Sequence, residues 1–111
     1  MAGSYELTRN DKGQYRFTLK AGNGETILHS EAYESRAAAE NGIASVQKNC
    51  GSDDRYELKD AADGRFYFNL KAANHQVIGT SQMYTTTQSR AGGIASVKTN
   101  GPATSVSDKT G

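Results

Sequence analysis

The segment Tyr5 to Cys50 is written again, without a gap and 51 residues downstream, as Tyr56 to Gly101, with 18 identities in 46 aligned pairs. Usage frequencies alone would give about three. A chain built this way folds into two like units, and a residue kept in both copies has the same physical task twice. Each unit, at roughly 50 residues, is too short to bury much of its surface alone, so the copies are expected to share one core. The 111 residues read as one domain: repeat 1 over 4–51, repeat 2 over 55–102, and a polar tail over 103–111 that admits a short edge strand at Thr104–Ser107.

Within a unit the pattern changes period once. Tyr5 and Leu7 stand two apart before the turn residues Asn10-Asp11-Lys12-Gly13, and Tyr56-Glu57-Leu58 precedes Asp63-Gly64. Gln14 to Lys20 alternates strictly, placing Tyr15, Phe17 and Leu19 on one face and Arg16, Thr18 and Lys20 on the other; the copy sets Phe66, Phe68 and Leu70 against Arg65, Tyr67, Asn69 and Lys71. Asn23-Gly24 predicts a type I′ hairpin, with Asn74 supplying the positive-φ-tolerant residue in the copy. A third strand runs over Glu25–Tyr33 and Gln76–Tyr84.

Helical spacing then takes over, with Ser35 and Thr86 as N-caps and Ala39, Ile43, Val46 and Ile94, Val97 as apolar stripes. Gly42 and Gly93 lie inside these helices, where glycine costs about 1 kcal/mol relative to alanine, so their presence in both copies points to close helix-to-sheet approach. The second helix, which adds Gly92, is expected to be the less stable. Asn49 and Asn100, just before Gly51 and Gly101, predict left-handed helix stops.

The fold expected is α+β: two tandem β-β-β-α repeats in one pseudo-two-fold antiparallel sheet, both helices on one face. The composition narrows the function. A formal charge of +1 gives no bulk field toward nucleic acid or an anionic membrane, and no apolar run is long enough to span a bilayer. The Met1–Glu6 start lacks a signal peptide's features, and the single cysteine, Cys50, suits a reducing compartment, so a cytoplasmic location is expected.

Chemistry-bearing residues are scattered. His29 and His75 occupy different repeat positions outside any metal-ligand spacing, and Cys50 at a helix C-terminus has the electrostatics of an unreactive thiol. Glu6 and Glu57 recur on the solvent side of their strands, where pairing with a base such as Arg16 is expected. No enzyme and no cofactor are expected. Basic-Gly-aromatic-x-aromatic at Lys12–Phe17 and Gly64–Phe68 loosely resembles the base-stacking strand of RNA-recognition sheets, but alternation assigns those aromatics to the core. The candidate binding face is therefore the opposite strip, Arg16, Lys20, Arg65, Tyr67 and Lys71. It could meet a protein partner or, as the alternative, a single-stranded nucleic acid or other polyanion. The bland reading is a solvated sheet face.

The unit written as Tyr-Glu-Leu, turn-Gly, aromatic-x-Phe-x-Leu-Lys-Ala-x-Asn and Gly-Ile-Ala-Ser-Val-x-x-Asn resembles the YegP-like family of small bacterial tandem-repeat proteins. Leu70–His75 and Gly93–Val97 carry the likeness most specifically. The resemblance implies two repeats joined in one sheet by exchange of the strand after each helix, a covalent pseudo-dimer. It brings no activity and no site residues. A chain that already carries both halves is expected to be a monomer.

Overall fold

The computed structural model describes residues 3–110; Met1 and Ala2 of the N-terminal segment and Gly111 of the tail lie outside the described residues. The elements follow the predicted order: β1 (Ser4–Arg9), β2 (Tyr15–Lys20), β3 (Thr26–His29), α1 (Arg36–Asn49), a 3₁₀ turn (Asp53–Arg55), β4 (Tyr56–Asp60), β5 (Phe66–Lys71), β6 (Val77–Thr80), α2 (Thr87–Asn100) and β7 (Val106–Asp108). The strands form one seven-stranded sheet in the order β4-β5-β6-β3-β2-β1-β7.

The sheet is mixed, not purely antiparallel as the alternation suggested. Strands β1 to β6 pair antiparallel, but β7 lies parallel to β1, with Tyr5 opposite Val106. The reason lies in the repeat. β7 stands two repeat lengths after the start of β1 and so runs in the same direction. The place beside β2 is already held by β1, and β7 takes the next position outward. The tail strand predicted at 104–107 thus forms two residues later at its start, over Val106–Asp108.

Tyr5, Leu7, Phe17, Leu19, Leu28, Phe68 and Leu70 are fully buried together with Ala39, Val46 and Val97 of the helices. Phe17 stacks on Tyr33 and Phe68 on Tyr84 at centroid distances of 6.2 and 6.4 Å. Ser35 Oγ accepts from Ala38 N at 3.1 Å and Thr86 Oγ1 from Ser89 N at 3.0 Å, so both predicted caps form.

Two local expectations are corrected. The hairpins are not type I′, which needs positive φ at both central residues. Each carries a single left-handed residue, at Gly13, Gly24, Gly64 and His75, while the preceding side chains act as acceptors: Asn23 for Glu25 N, Asn74 for Gln76 N. The strain in the fourth turn therefore falls on His75, at φ 69°, and not on Asn74. His75→Gly, which restores the first-copy residue, should raise stability by about 0.5–1 kcal/mol in a urea melt; a loss would mean the imidazole makes a compensating contact.

Nor do the helices end in left-handed stops: Cys50 and Gly101 both have right-handed φ, at −65° and −58°. Gly101 is small because a Cβ there would lie 2.5 Å from Cys50 Sγ, where the two helix ends meet. Their terminal carbonyls are held by tyrosines. Tyr56 donates to Cys50 O and Tyr5 to Gly101 O, each at 2.6 Å.

Candidate functional site

Alternation sends Phe17, Leu19, Phe68 and Leu70 under the helices and leaves the intervening side chains on a face that no helix covers. The pairing registers align a single polar row across that face. Glu6 lies opposite Thr18, Thr18 opposite His29, His29 opposite Thr80, Thr80 opposite Asn69, and Asn69 opposite Glu57. The row spans six strands and joins the copies at β3 and β6.

Of the predicted basic residues, Lys20, Arg65 and Lys71 are paired with acids and Arg16 is not. Lys71 Nζ lies 2.9 Å from Glu57 Oε2 and Lys20 Nζ 3.8 Å from Glu6 Oε2. The two recurrent acids thus pair with lysines on the diagonal, not with Arg16 as alternation suggested; Arg16 stands opposite Thr8. Arg65 precedes β5 in the turn, where its Nε reaches Asp63 at 2.7 Å. Arg16 is exposed and Tyr67 half-buried. The face is therefore mixed in charge, with Arg16 and the exposed Lys59 as its unpaired cations among the described residues.

The halves of the row differ. In the second copy Thr80 Oγ1 donates to Asn69 Oδ1 at 2.9 Å and Asn69 Nδ2 to Glu57 Oε1 at 3.2 Å, so the chain of bonds runs from the middle of the sheet to Lys71. In the first copy Thr18 replaces Asn69 and His29 replaces Thr80, and the buried Thr18 Oγ1 has no hydrogen-bond partner. Alternation put Thr18 on this face, but the row through His29 and Thr80 was not legible in the sequence because it depends on the β2–β3 and β3–β6 pairings.

Hydrogen bonds from Lys71 and Asn69 hold the Glu57 carboxyl below the usual carboxylate range. A depressed pKa contributes stability that is present above the unfolded value and lost as pH falls through the folded one. Lys71→Met should move the Glu57 midpoint up toward its ordinary value in a carboxyl NMR titration. An unmoved midpoint would show that Asn69 alone sets it.

Burial raises the Cys50 thiol pKa, consistent with the unreactive thiol expected. Among the described residues no three His, Cys, Asp or Glu side chains converge as a metal site, and no helix is long and apolar enough to cross a membrane. A shallow cleft of about 300 Å³ opens between the β2–β3 turn and α2, lined by Asn23, Glu25, Ile27, Gln82, Tyr84 and Gly92 among others. It lies where Gly92 replaces the Asn41 of the first copy, with open space beside its Cα.

The family model described as domain of unknown function, DUF1508, matches the chain twice, at residues 10–57 and 61–108. Each match begins after β1 or β4 and ends within β4 or at the end of β7. The chain is 63% identical over 110 residues to the UPF0339 protein YegP of Shigella flexneri, covering 99% of this chain and 100% of that one. Its fold superposes with a TM-score of 0.95 on the solution NMR structure of yegP from E. coli, titled a protein of unknown function, at 62% identity with 100% and 96% of the two chains covered. For the UPF0339 protein of Shewanella oneidensis the TM-score is 0.93 at 53% identity, with 99% and 93% covered.

Proposed function

The chain belongs to the DUF1508 family, described as a domain of unknown function, and we propose that it is a non-catalytic binding or protein-interaction module working through the uncovered face of its sheet. One observation carries this reading: a polar row crosses six strands on a face left without helices, beside an exposed arginine and a half-buried tyrosine. A sheet face of this kind offers a rigid platform for recognition. On the same reading the two copies act as a covalent pseudo-dimer. Support comes from the strand order, in which the three strands of each copy lie together and the copies meet in one sheet at β3 and β6. A reducing, cytoplasmic setting accords with a lone unpaired cysteine.

The pairing of Lys20 with Glu6 and Lys71 with Glu57 favours a protein partner over a polyanion, because the strip has little net positive field left to collect phosphates. Capture from a bacterial lysate on immobilised wild type, compared with an Arg16→Glu/Tyr67→Ala variant, tests it. A partner retained by the wild type and lost by the variant is expected; identical captures from both would sink the assignment of this face. A fluorescent single-stranded oligonucleotide at low salt should not bind measurably. Salt-sensitive binding that the same variant abolishes would instead favour the polyanion reading.

A further inference from the structure

Leu7 and Leu58 occupy the same repeat position and the same register against their neighbours, opposite Phe17 and Phe68. Leu7 is 1% exposed and Leu58 57%. Part of the environment that differs is the sheet edge. β7 lies along β1, where Tyr5 N donates to Ser105 O at 2.9 Å and Lys109 N to Leu7 O at 2.7 Å. β4 has a neighbour on one side only. By the shared register, residues 57 and 59 turn their backbone groups toward β5, whereas 58 and 60 turn theirs outward; Tyr56 N is already held by Asp53 O of the 3₁₀ turn.

An edge strand with an exposed leucine is a template for another strand, and a lysine on it ordinarily opposes such pairing. Here the lysine has a complement in the strand itself. Antiparallel pairing of β4 with β4 of a second copy, centred on Leu58, sets Glu57 opposite Lys59 of the partner and Lys59 opposite Glu57. It brings Leu58 against Leu58 and leaves the Tyr56 carbonyl free to accept from Asp60 N. A parallel in-register pairing would set Glu57 against Glu57 and Lys59 against Lys59, so charge selects the antiparallel direction and the register.

We infer that β4 is a self-complementary edge through which two folded monomers join, reversibly and about a two-fold axis, into one continuous sheet. The duplication makes each chain's fold independent of the other, and a contact of five residues per chain is small for a stable interface, so the association is weak and concentration-dependent. It uses the outer edge of β4, whereas the partner-binding test alters Arg16 and Tyr67 on β2 and β5, so the two are tested separately.

Sedimentation equilibrium of the full chain, carried into the millimolar range, should show a monomer–dimer equilibrium. Lys59→Glu, at an exposed position, creates two like-charge pairs and should raise the dissociation constant about tenfold or more. Glu57→Lys alone should do the same. Mixing the two variants should restore association, because one chain then carries an acid at both positions 57 and 59 and the other a lysine at both. Leu58→Asp, also at an exposed side chain, should abolish association and serves if Glu57→Lys loses its fold. A wild type monomeric throughout the series, a Lys59→Glu variant that dimerises unchanged, or a folded mixture that fails to re-associate would each overturn the inference.

Discussion

Gly93→Ala lowers stability by about 2 kcal/mol, whereas Gly92→Ala, one residue earlier, raises it by up to about 1 kcal/mol. Both changes gain the same helix propensity. They differ in what the new methyl group meets. At Gly93 a Cβ would lie 2.5 Å from Cζ of Tyr84, with the hydroxyl closer still, and that ring cannot retreat because it lies stacked on Phe68 at an interplanar angle of 8°. Overpacking of this sort costs about 1–3 kcal/mol or more, which outweighs the roughly 1 kcal/mol of propensity. At Gly92 the methyl enters open space. Urea melts of the pair decide the matter. Equal shifts in one direction would mean that α2 does not rest on Tyr84, and the structural reason for glycine in both copies would fail.

Tyr5→Ala is expected to cost about 3–5 kcal/mol, enough to leave a domain of this size marginal, and Tyr5→Phe about 1–2 kcal/mol. The ring is fully buried and meets Phe17 edge-on at 6.0 Å, so alanine loses both burial and an aromatic pair. Phenylalanine keeps the ring and deletes only the hydroxyl that donates to Gly101 O, leaving a carbonyl at the end of α2 unpaired. Tyr56→Phe should cost less, because Tyr56 is half-buried and water can replace its bond to Cys50 O. Denaturant midpoints for the three variants separate ring from hydroxyl. A Tyr5→Phe protein as stable as wild type would show that the first strand does not clamp the last helix through that bond.

Much of the fold was legible because its determinants are short-range. Strict alternation over Gln14–Lys20 and Arg65–Lys71 is enough to say which side chains go inward, and Ser35 and Thr86 announce the helix starts. The candidate face was legible in part: Arg16 and Tyr67 stand where alternation put them, but the partners of Lys20, Lys71 and Arg65 depend on neighbouring strands and turn geometry. The left-handed residue of the fourth turn was misplaced, because Asn74 serves as acceptor for the Gln76 amide and leaves the strained φ to His75.

By itself the sequence determined a duplicated α+β unit, its inward faces, its helix caps and the close approach at Gly42 and Gly93. Tertiary structure alone decided that β3 meets β6, that β7 lies parallel on β1, and that Gly101 makes room for Cys50 where the helix ends converge. It also decided that Leu7 is covered and Leu58 is not, although the two are the same residue at the same repeat position, each opposite a buried phenylalanine of its own hairpin. The physical reason is that local pattern fixes which way a side chain points, while its burial depends on which distant segment reaches that edge of the sheet. A repeat encodes the first twice, but a chain with only one C-terminal tail can supply the second only once.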